Sequence, residues 1–460
     1  MMIPLVDLKA QYRDIQPEID AAVAAVLADC GFVKGPRVTA FEERFAAYCD
    51  AASSVGTSSG TAALHLALAA LGVGPGDEVI APAHTFIATV EPISQLGARI
   101  VFADVDPATY TLDPESVERC ITARTRVILP VHLYGQMADM EGLRACCGRE
   151  ICIVEDAAQA CGAGLEEGTK GEEGTEARRH EGRGRDEGTG GRRDGVESAI
   201  RNPQSSILNR QSSIVNPQSR AVCFSFFPGK NLGAYGDAGA VVTSDNNLAQ
   251  RMRKLRDHGR QDKHRHDLMG YNYRLDALQA AILQVKLPHL DEWNRRRRSR
   301  AALYNEMLGG VPGVTIPAVA AGRRHVYHLY VIQVDDRDGL RRFLADRRIV
   351  TGIHYPIALH QQPALQQAHG LEEGTKARRH GGTKGIVSVG FGSDALPVTE
   401  RLVGRILSLP MFPEMTHDQV AEVADAVHAF QTRRKRRRDE GRKVARSKVG
   451  RSKVRRALDL

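Results

Sequence analysis

The 460-residue chain has no long apolar run, since no stretch reaches the roughly 18 residues needed to cross a bilayer. We therefore expect no membrane partner. The first residues, MMIPLVDLKAQYRDI, contain no basic region followed by an apolar one, so we expect no signal peptide. The eight cysteines include no CxxC pair, a pattern typical of reduced thiols in a cytoplasmic protein.

Excess positive charge is absent from most of the chain, although the net charge is +8. The segment from Arg433 to Arg456 contains 14 Lys and Arg against two acids, so it carries +12 and the rest carries −4. A mildly acidic body argues against nucleic acid as the main partner. We interpret residues 431–460 as a disordered basic tail, and an arm for nucleic acid or an anionic surface is the alternative.

Two internal segments have low-complexity composition. Residues 164–219 are dominated by Gly, Glu, Arg, Ser, Asn and Gln, and residues 371–385 repeat their motifs LEEGTK and ARRH. The repeats have neither a fixed period nor apolar positions, which excludes a solenoid. We predict that both segments are disordered surface insertions without a role in the chemistry.

Helical and extended patterns alternate between residues 57 and 260. A helix is predicted over Thr61–Leu71. The predicted strands are Asp77–Ala81, Arg99–Val105, Thr125–Val131, Ile151–Glu155, Ala221–Phe226 and Ala238–Thr243. Several are almost continuously apolar, as strands buried on both faces are. The pattern therefore predicts an α/β fold with a mainly parallel wound sheet.

Two motifs in this region are suited to binding charged groups. The turn GTSSGT ends at Thr61 and precedes a predicted helix, whose free N–H groups and positive dipole end suit a phosphate. The apolar strand IVED ends in Asp156, a carboxylate positioned to hold a cationic group at the end of a strand. Ordinary helix capping is the alternative for both motifs.

Lys230 lies in a Pro-Gly turn directly after a predicted strand, in the segment FSFFPGKN. Desolvation by flanking apolar side chains would make its amine more readily neutral and nucleophilic. These neighbours are Phe224, Phe226, Phe227 and Leu232. Further along, the loop GYNYRLD leads into an amphipathic helix with Leu275, Leu278, Ile282 and Val285 at helical spacing.

Taken together and in this order, the motifs resemble the DegT/DnrJ/EryC1/StrS aminotransferases. The resemblance runs from Ile3 to Phe430 outside the insertions and includes GTSSGTAALHLAL, GDEVIAPAHTF, VEDAAQACGA, FSFFPGKNLGAYGDAGAVVT and GYNYRLDALQAAIL. It implies the aspartate aminotransferase-like fold, fold type I of the pyridoxal-phosphate (PLP) transferases. The implied divisions are a PLP-binding domain at 1–257, a smaller α/β C-terminal domain at 258–430, and the tail.

The resemblance also implies a role for each residue that matches the family pattern. Lys230 is expected to bond covalently to PLP, and Asp156 to pair with the pyridinium nitrogen. Phe86 is expected to stack on the ring and Gln159 to contact its O3′ side. Phosphate ligands are implied at Gly60, Thr61, Ser225 and, from the second subunit of a homodimer, Asn272. Residues implied towards the substrate are Arg274, His354 and Tyr355.

The implied reaction transfers an amino group from glutamate or glutamine to a keto group of a nucleotide-linked sugar. Such sugars serve cell-surface polysaccharide or secondary-metabolite biosynthesis. A PLP- or pyridoxamine-phosphate-dependent sugar dehydratase is one alternative, although the lysine position is typically histidine there. A non-catalytic regulatory homologue is the other, and the intact set of motifs argues against it. The cluster His258, His264 and His266 has no further ligand pattern, so we expect no metal.

Overall fold

The structure, a computed structural model, describes residues 2–148, 150–166, 219–368, 390–391 and 396–458. Its helices are α1 (Leu8–Asp29), α2 (Pro36–Tyr48), α3 (Gly60–Ala70), α4 (Glu91–Gln95), α5 (Pro114–Cys120), α6 (Met140–Cys146), α7 (Asn246–Leu255), α8 (Ala277–Lys286), α9 (Leu290–Leu308), α10 (Arg337–Ala345), α11 (Pro363–Ala368), α12 (Pro397–Val403) and α13 (His417–Leu458). Its strands are β1 (Ser53–Thr57), β2 (Glu78–Pro82), β3 (Arg99–Ala103), β4 (Thr125–Ile128), β5 (Cys152–Asp156), β6 (Gly164–Leu165), β7 (Ala221–Ser225), β8 (Gly239–Thr243), β9 (Val314–Thr315), β10 (Arg323–Arg324), β11 (Tyr330–Val334), β12 (Gly390–Phe391) and β13 (Ile406–Leu409).

The central sheet has the strand order β1-β8-β7-β5-β4-β2-β3-β12. Pairing is parallel from β12 through β3, β2, β4 and β5 to β7, and antiparallel from β7 through β8 to β1. Neighbouring residues of one strand pack into different apolar clusters, as Ile80 does on one face and Val79 on the other. Both faces are therefore covered, which explains the nearly continuous apolar strands. The predicted α/β fold with a mainly parallel sheet is confirmed.

Most element boundaries agree with the sequence to within a few residues. The run predicted through Val131 ends at Ile128 as a strand, because Pro130 has no N–H to donate to a neighbouring strand. Strand β1, with the sequence SSVGT, was not predicted, since it lacks an apolar pattern. Its five residues are nevertheless buried, and they pair with β8 at the edge of the sheet.

The C-terminal part of the chain has its own apolar core. Strands β13, β11 and β9 form an antiparallel sheet. The core beside it includes Tyr304, Leu340, Ile332, Leu407 and Val423, which α9, α10, β11, β13 and α13 contribute. The division at residues 257 and 258 remains a prediction.

The first insertion begins later than predicted. Gly164 and Leu165 form β6, which pairs with β10, and Glu166 N donates a hydrogen bond to Gly322 O at 2.9 Å. Backbone pairing with a distant segment, which composition does not reveal, therefore orders these residues. The remainder of that insertion up to residue 218, and the second insertion, lie outside the described residues.

The basic tail also differs from its prediction, because α13 continues helically from His417 to Leu458. Lys, Arg, Glu and Ala, which make up much of the tail, are good helix formers, and the tail contains no proline. The helical part therefore covers most of the segment that we interpreted as disordered. Among the described helices, none is both long and apolar enough to cross a membrane.

Candidate active site

A cavity of 420 Å³ lies where the parallel strands β5 and β7 end. The carboxyl ends of parallel strands meet at one edge of a sheet, which is where α/β proteins bind ligands. Most of the predicted site residues line this cavity, namely Gly60, Thr61, Phe86, Asp156, Gln159, Ser225, Lys230, His354 and Tyr355. Residues distant in the sequence therefore meet in a single site.

Asp156 is the last residue of β5 and is almost fully buried. Its Oδ1 accepts a hydrogen bond from Ala158 N at 3.0 Å, and its Oδ2 accepts one from Thr89 Oγ1 at 2.8 Å. Burial raises the pKa of this carboxyl above its usual value, and these two donors and the charge of Lys230 offset part of the rise. Each oxygen retains a further lone pair, so the carboxylate is able to hold another N–H donor.

Lys230 lies in the tight turn that follows β7. Its backbone N donates to Phe227 O at 2.8 Å, and Ala234 N closes the loop by donating to Phe226 O at 2.7 Å. Burial lowers the pKa of Lys230 from its usual 10.5 to about 8, while Asp156 opposes this shift. The amine is therefore more readily neutral than an ordinary lysine near neutral pH.

The apolar residues that flank Lys230 in the sequence are buried with one exception. Phe224, Phe226 and Leu232 are fully buried, but Phe227 is 56% exposed and lines the cavity. The sequence pattern did not distinguish it, because its orientation depends on the turn rather than on strand alternation.

Lys286 of α8 forms a hydrogen bond with the backbone of the loop that carries Lys230. Its fully buried Nζ donates to Gly233 O at 2.6 Å and lies 4.7 Å from the centre of the Tyr235 ring. Burial lowers the pKa of Lys286 to about 8, although Glu414 opposes this shift. The backbone that carries Lys230 is thus tied to the core by a second lysine, which no motif had indicated.

The N-terminus of α3 faces the end of β7 at very close range. A Cβ on Gly60 would lie 2.6 Å from Ser225 Cβ, so only glycine fits at this position without displacement. Ser59 caps the helix by accepting a hydrogen bond from Ala62 N at 3.0 Å. This end of α3 therefore brings backbone N–H groups and the Ser225 hydroxyl to the cavity, a combination suited to an anion.

Aromatic and amide side chains form the opposite side of the cavity. The rings of Phe86 and Tyr355 lie 5.4 Å apart between centroids. Gln159 Nε2 donates to Tyr355 Oη at 3.1 Å, and Gln159 Oε1 accepts from Tyr134 N at 2.7 Å. Gln159 is therefore held at both ends of its amide, which fixes its position beside the cavity.

His354 is held by a hydrogen bond between its Nδ1 and Ser408 Oγ at 2.8 Å, and its carbonyl accepts one from Tyr134 Oη. Burial lowers the pKa of His354 to about 4, and the charge of Lys230 adds to this effect. The imidazole is consequently neutral at neutral pH.

Asn272 and Arg274 do not line the cavity of their own chain. Asn272 is exposed and forms an isolated backbone bridge with Asp257. Arg274 Nη1 binds Asp257 Oδ1 at 2.8 Å, and Lys34 Nζ binds the other oxygen of that carboxylate at 2.6 Å. Their expected roles depend on a second subunit and stay predictions.

Sequence reasoning missed several polar residues of the cavity, among them Thr89 and His328. Thr89 follows Phe86 by three residues, a spacing that would have indicated it once a helical turn was recognised there. His328 lies in a bend just before β11, where the sequence has no motif. For the histidine cluster, His266 Nδ1 lies 2.8 Å from His258 O, and the described residues contain no group of three or more potential metal ligands.

A family model described as the DegT/DnrJ/EryC1/StrS aminotransferase family matches residues 13–178 and 212–381. The chain belongs to this family. It is therefore an enzyme of the aminotransferase class, as the motifs predicted. The local motifs of the sequence predicted this family, and the structure brings residues of those motifs together around one cavity.

Individual relatives are similar in sequence to this protein over almost the whole chain. A "dTDP-3-amino-3,4,6-trideoxy-alpha-D-glucose transaminase" of Streptomyces venezuelae is 40% identical, covering 94% of this chain and 97% of that protein. The "Erythromycin biosynthesis sensory transduction protein EryC1" of Saccharopolyspora erythraea is 41% identical, covering 93% and 100%. The solved structure of S. venezuelae DesV in complex with a ketimine intermediate is similar with a TM-score of 0.76 at 38% identity, covering 94% and 98%. The predicted fold class is thereby confirmed.

Proposed function

We propose that this chain is a PLP-dependent aminotransferase that aminates a keto group of a nucleotide-linked sugar. The observation that carries the proposal is the meeting of Lys230 and Asp156 in one cavity, beside the N-terminus of α3. Glutamate or glutamine is the proposed amino donor. The nucleotide-sugar substrate is supported by the names of similar proteins, such as the S. venezuelae transaminase.

The described residues fit PLP in three respects. The missing side chain of Gly60 leaves room for backbone N–H groups to approach a phosphate beside Ser225. Asp156 is buried and has spare acceptor capacity for a protonated ring nitrogen. Lys230 has a lowered pKa, as required of an amine that attacks a carbonyl carbon.

PLP, when bound, supplies an electron sink for the carbanion that forms at the amino-bearing carbon. Asp156 contributes a negative charge that keeps a ring nitrogen protonated. Lys230 holds the cofactor and, once released by the amino donor, takes and returns a proton at its Nζ. Phe86 and Tyr355 limit the space for water and orient a flat ring. Since the amino group is received and then passed on, the kinetics should be ping-pong.

A non-catalytic regulatory role is the second candidate, because two similar proteins have regulatory names, a "Pleiotropic regulatory protein" of Geobacillus stearothermophilus and the sensory transduction protein EryC1. Against this role, a lysine with a lowered pKa beside a buried carboxylate has no evident use in a protein without chemistry. The sugar dehydratase alternative is disfavoured by Lys230 itself, since histidine typically occupies that position there.

The first test is chemical labelling. With PLP bound, borohydride reduction and peptide mapping should find the label on Lys230, and Lys230→Ala should abolish turnover while retaining noncovalent PLP. Lys254→Ala is the matched control, because that lysine lies outside the cavity in an ion pair with Asp267. A label on another lysine would contradict the assignment.

The second test is a screen of nucleotide-linked keto-sugars with glutamate or glutamine as donor. Amination of at least one keto-sugar is expected, with parallel lines in double-reciprocal plots. Amination of simple keto acids alone would disprove the sugar substrate and leave transamination intact. The absence of any turnover with bound PLP would favour the regulatory role.

A further inference from the structure

His328 lies just before β11 and lines the same cavity as Lys230. It is 9% exposed, so most of its ring is enclosed by protein. Its Nδ1 lies 3.2 Å from Oδ1 of Asn231, the residue that follows Lys230 in the chain. The state of the imidazole therefore depends on how the Asn231 amide is oriented.

A chain of hydrogen bonds fixes that amide. Asn294 Nδ2 on α9 donates to Cys161 O at 3.0 Å, so Asn294 Oδ1 is the atom left to accept from Asn231 Nδ2 at 2.8 Å. Asn231 Nδ2 also donates to Val326 O at 3.1 Å. Backbone carbonyls only accept, so both amides have one orientation each. Asn231 Oδ1 must consequently face His328, and His328 Nδ1 must carry the proton that it donates.

The other ring nitrogen of His328, Nε2, is an acceptor and not a donor. Burial holds the pKa of His328 well below its usual value, and the charges of Lys230 and Arg297 lower it further. The ring is therefore neutral near neutral pH, and its one proton is on Nδ1. His328 lines the cavity, and no hydrogen bond to its Nε2 is present among the described residues, so this nitrogen is available as an acceptor.

We propose that His328 is a positioning residue whose unprotonated Nε2 accepts a hydrogen bond from the Lys230 amine when that amine is free. This role rests on the proposed function, since Lys230 is released only during transamination. Asn231 joins the two residues, because it is adjacent to Lys230 in the chain and bonded to His328. The hydrogen bond would direct one N–H of Lys230 towards His328 and leave the lone pair available for the substrate proton.

The tautomer is tested on the protein without cofactor, independently of activity. A long-range ¹H–¹⁵N spectrum of histidine-labelled protein should contain a resonance pattern for neutral imidazole protonated at Nδ1, which His328→Asn removes. The pattern should persist at neutral pH. A charged ring or a proton on Nε2 would overturn the proposal, whether or not the enzyme aminates sugars.

The positioning role is tested with the same variant and a matched control. Asparagine at 328 retains an N–H donor for Asn231 but has no atom at the Nε2 position. We expect kcat/KM for the amino donor and for the keto acceptor to fall by a similar factor, about 10- to 100-fold, because both half-reactions use Lys230. The covalent link between Lys230 and PLP should survive, as judged by absorbance.

His325→Asn is the control, since His325 is also buried, lies three residues earlier and does not line the cavity. It should leave both kcat/KM values within about twofold. An unchanged kcat/KM in His328→Asn, or a loss confined to one of the two substrates, would show that Nε2 does not serve Lys230.

Discussion

The substitution Gly60→Ala tests the site, because α3 and β7 approach each other closely at this residue. The added Cβ would lie 2.6 Å from Ser225 Cβ and 3.1 Å from Ser225 Cα, whereas carbon atoms pack at about 3.5–4.0 Å. The helix and the strand must therefore separate by about 1 Å. Overpacking of this kind costs about 1–3 kcal/mol, and the helix preference of alanine returns part of it. A net cost of about 1–2 kcal/mol remains.

This cost should appear in cofactor binding. The Gly60→Ala protein without cofactor is able to relax by separating α3 from β7. The N–H groups of α3 and the Ser225 hydroxyl then no longer converge on one position when PLP binds. The same 1–2 kcal/mol then weakens PLP binding by about 5- to 30-fold. The measurement is a PLP titration followed by absorbance, together with thermal unfolding of both forms.

Gly74→Ala is the matched control, because it lies beyond the other end of α3 and the nearest atom to its added Cβ, Leu96 O, is 4.0 Å away. It should bind PLP like the wild type and unfold at the same temperature or slightly higher. Unchanged PLP affinity and unchanged stability in Gly60→Ala would refute the argument that this contact shapes the phosphate site.

Two further predictions concern the second subunit and the support of the Lys230 turn. Mixing inactive Lys230→Ala chains with inactive Asn272→Ala chains should restore part of the activity through hybrid sites, and a fully active monomer in sedimentation would rule out shared sites. Lys286→Met removes a buried amine whose pKa is about 8 in the fold and 10.5 ordinarily. Between these values the unfolded chain binds more protons, so wild-type stability rises with pH. Denaturant unfolding between pH 8 and 10 should give a smaller rise in Lys286→Met, and an equal rise would contradict the shift.

Local sequence was sufficient for much of the fold. Apolar runs flanked by turn residues located β2 to β5, β7 and β8, because burial on both faces of a sheet imposes a composition that is readable without a partner strand. Strand β1 was the exception. Its serines and glycine are buried because β8, α2 and α7 pack around it, and the sequence of the strand contains no pattern that indicates this burial.

Local motifs also indicated Lys230 and Asp156 as candidate site residues, since a lysine in a turn after a strand and a carboxylate at a strand end are features of a few adjacent residues. Whether the two share a site depends on β5 and β7 being parallel neighbours, although their residues are separated by the first insertion. Only the tertiary structure brings them into one cavity.

The tertiary structure alone decided the parts that depend on long-range hydrogen bonds. The protonation of His328 follows from Asn231, Asn294 and the Cys161 carbonyl, which three separate segments contribute. The ion pair of Arg274 with Asp257 and the exposed position of Phe227 are decided in the same way. A sequence determines what each side chain is able to donate, accept or bury. Only the fold determines which partner it meets.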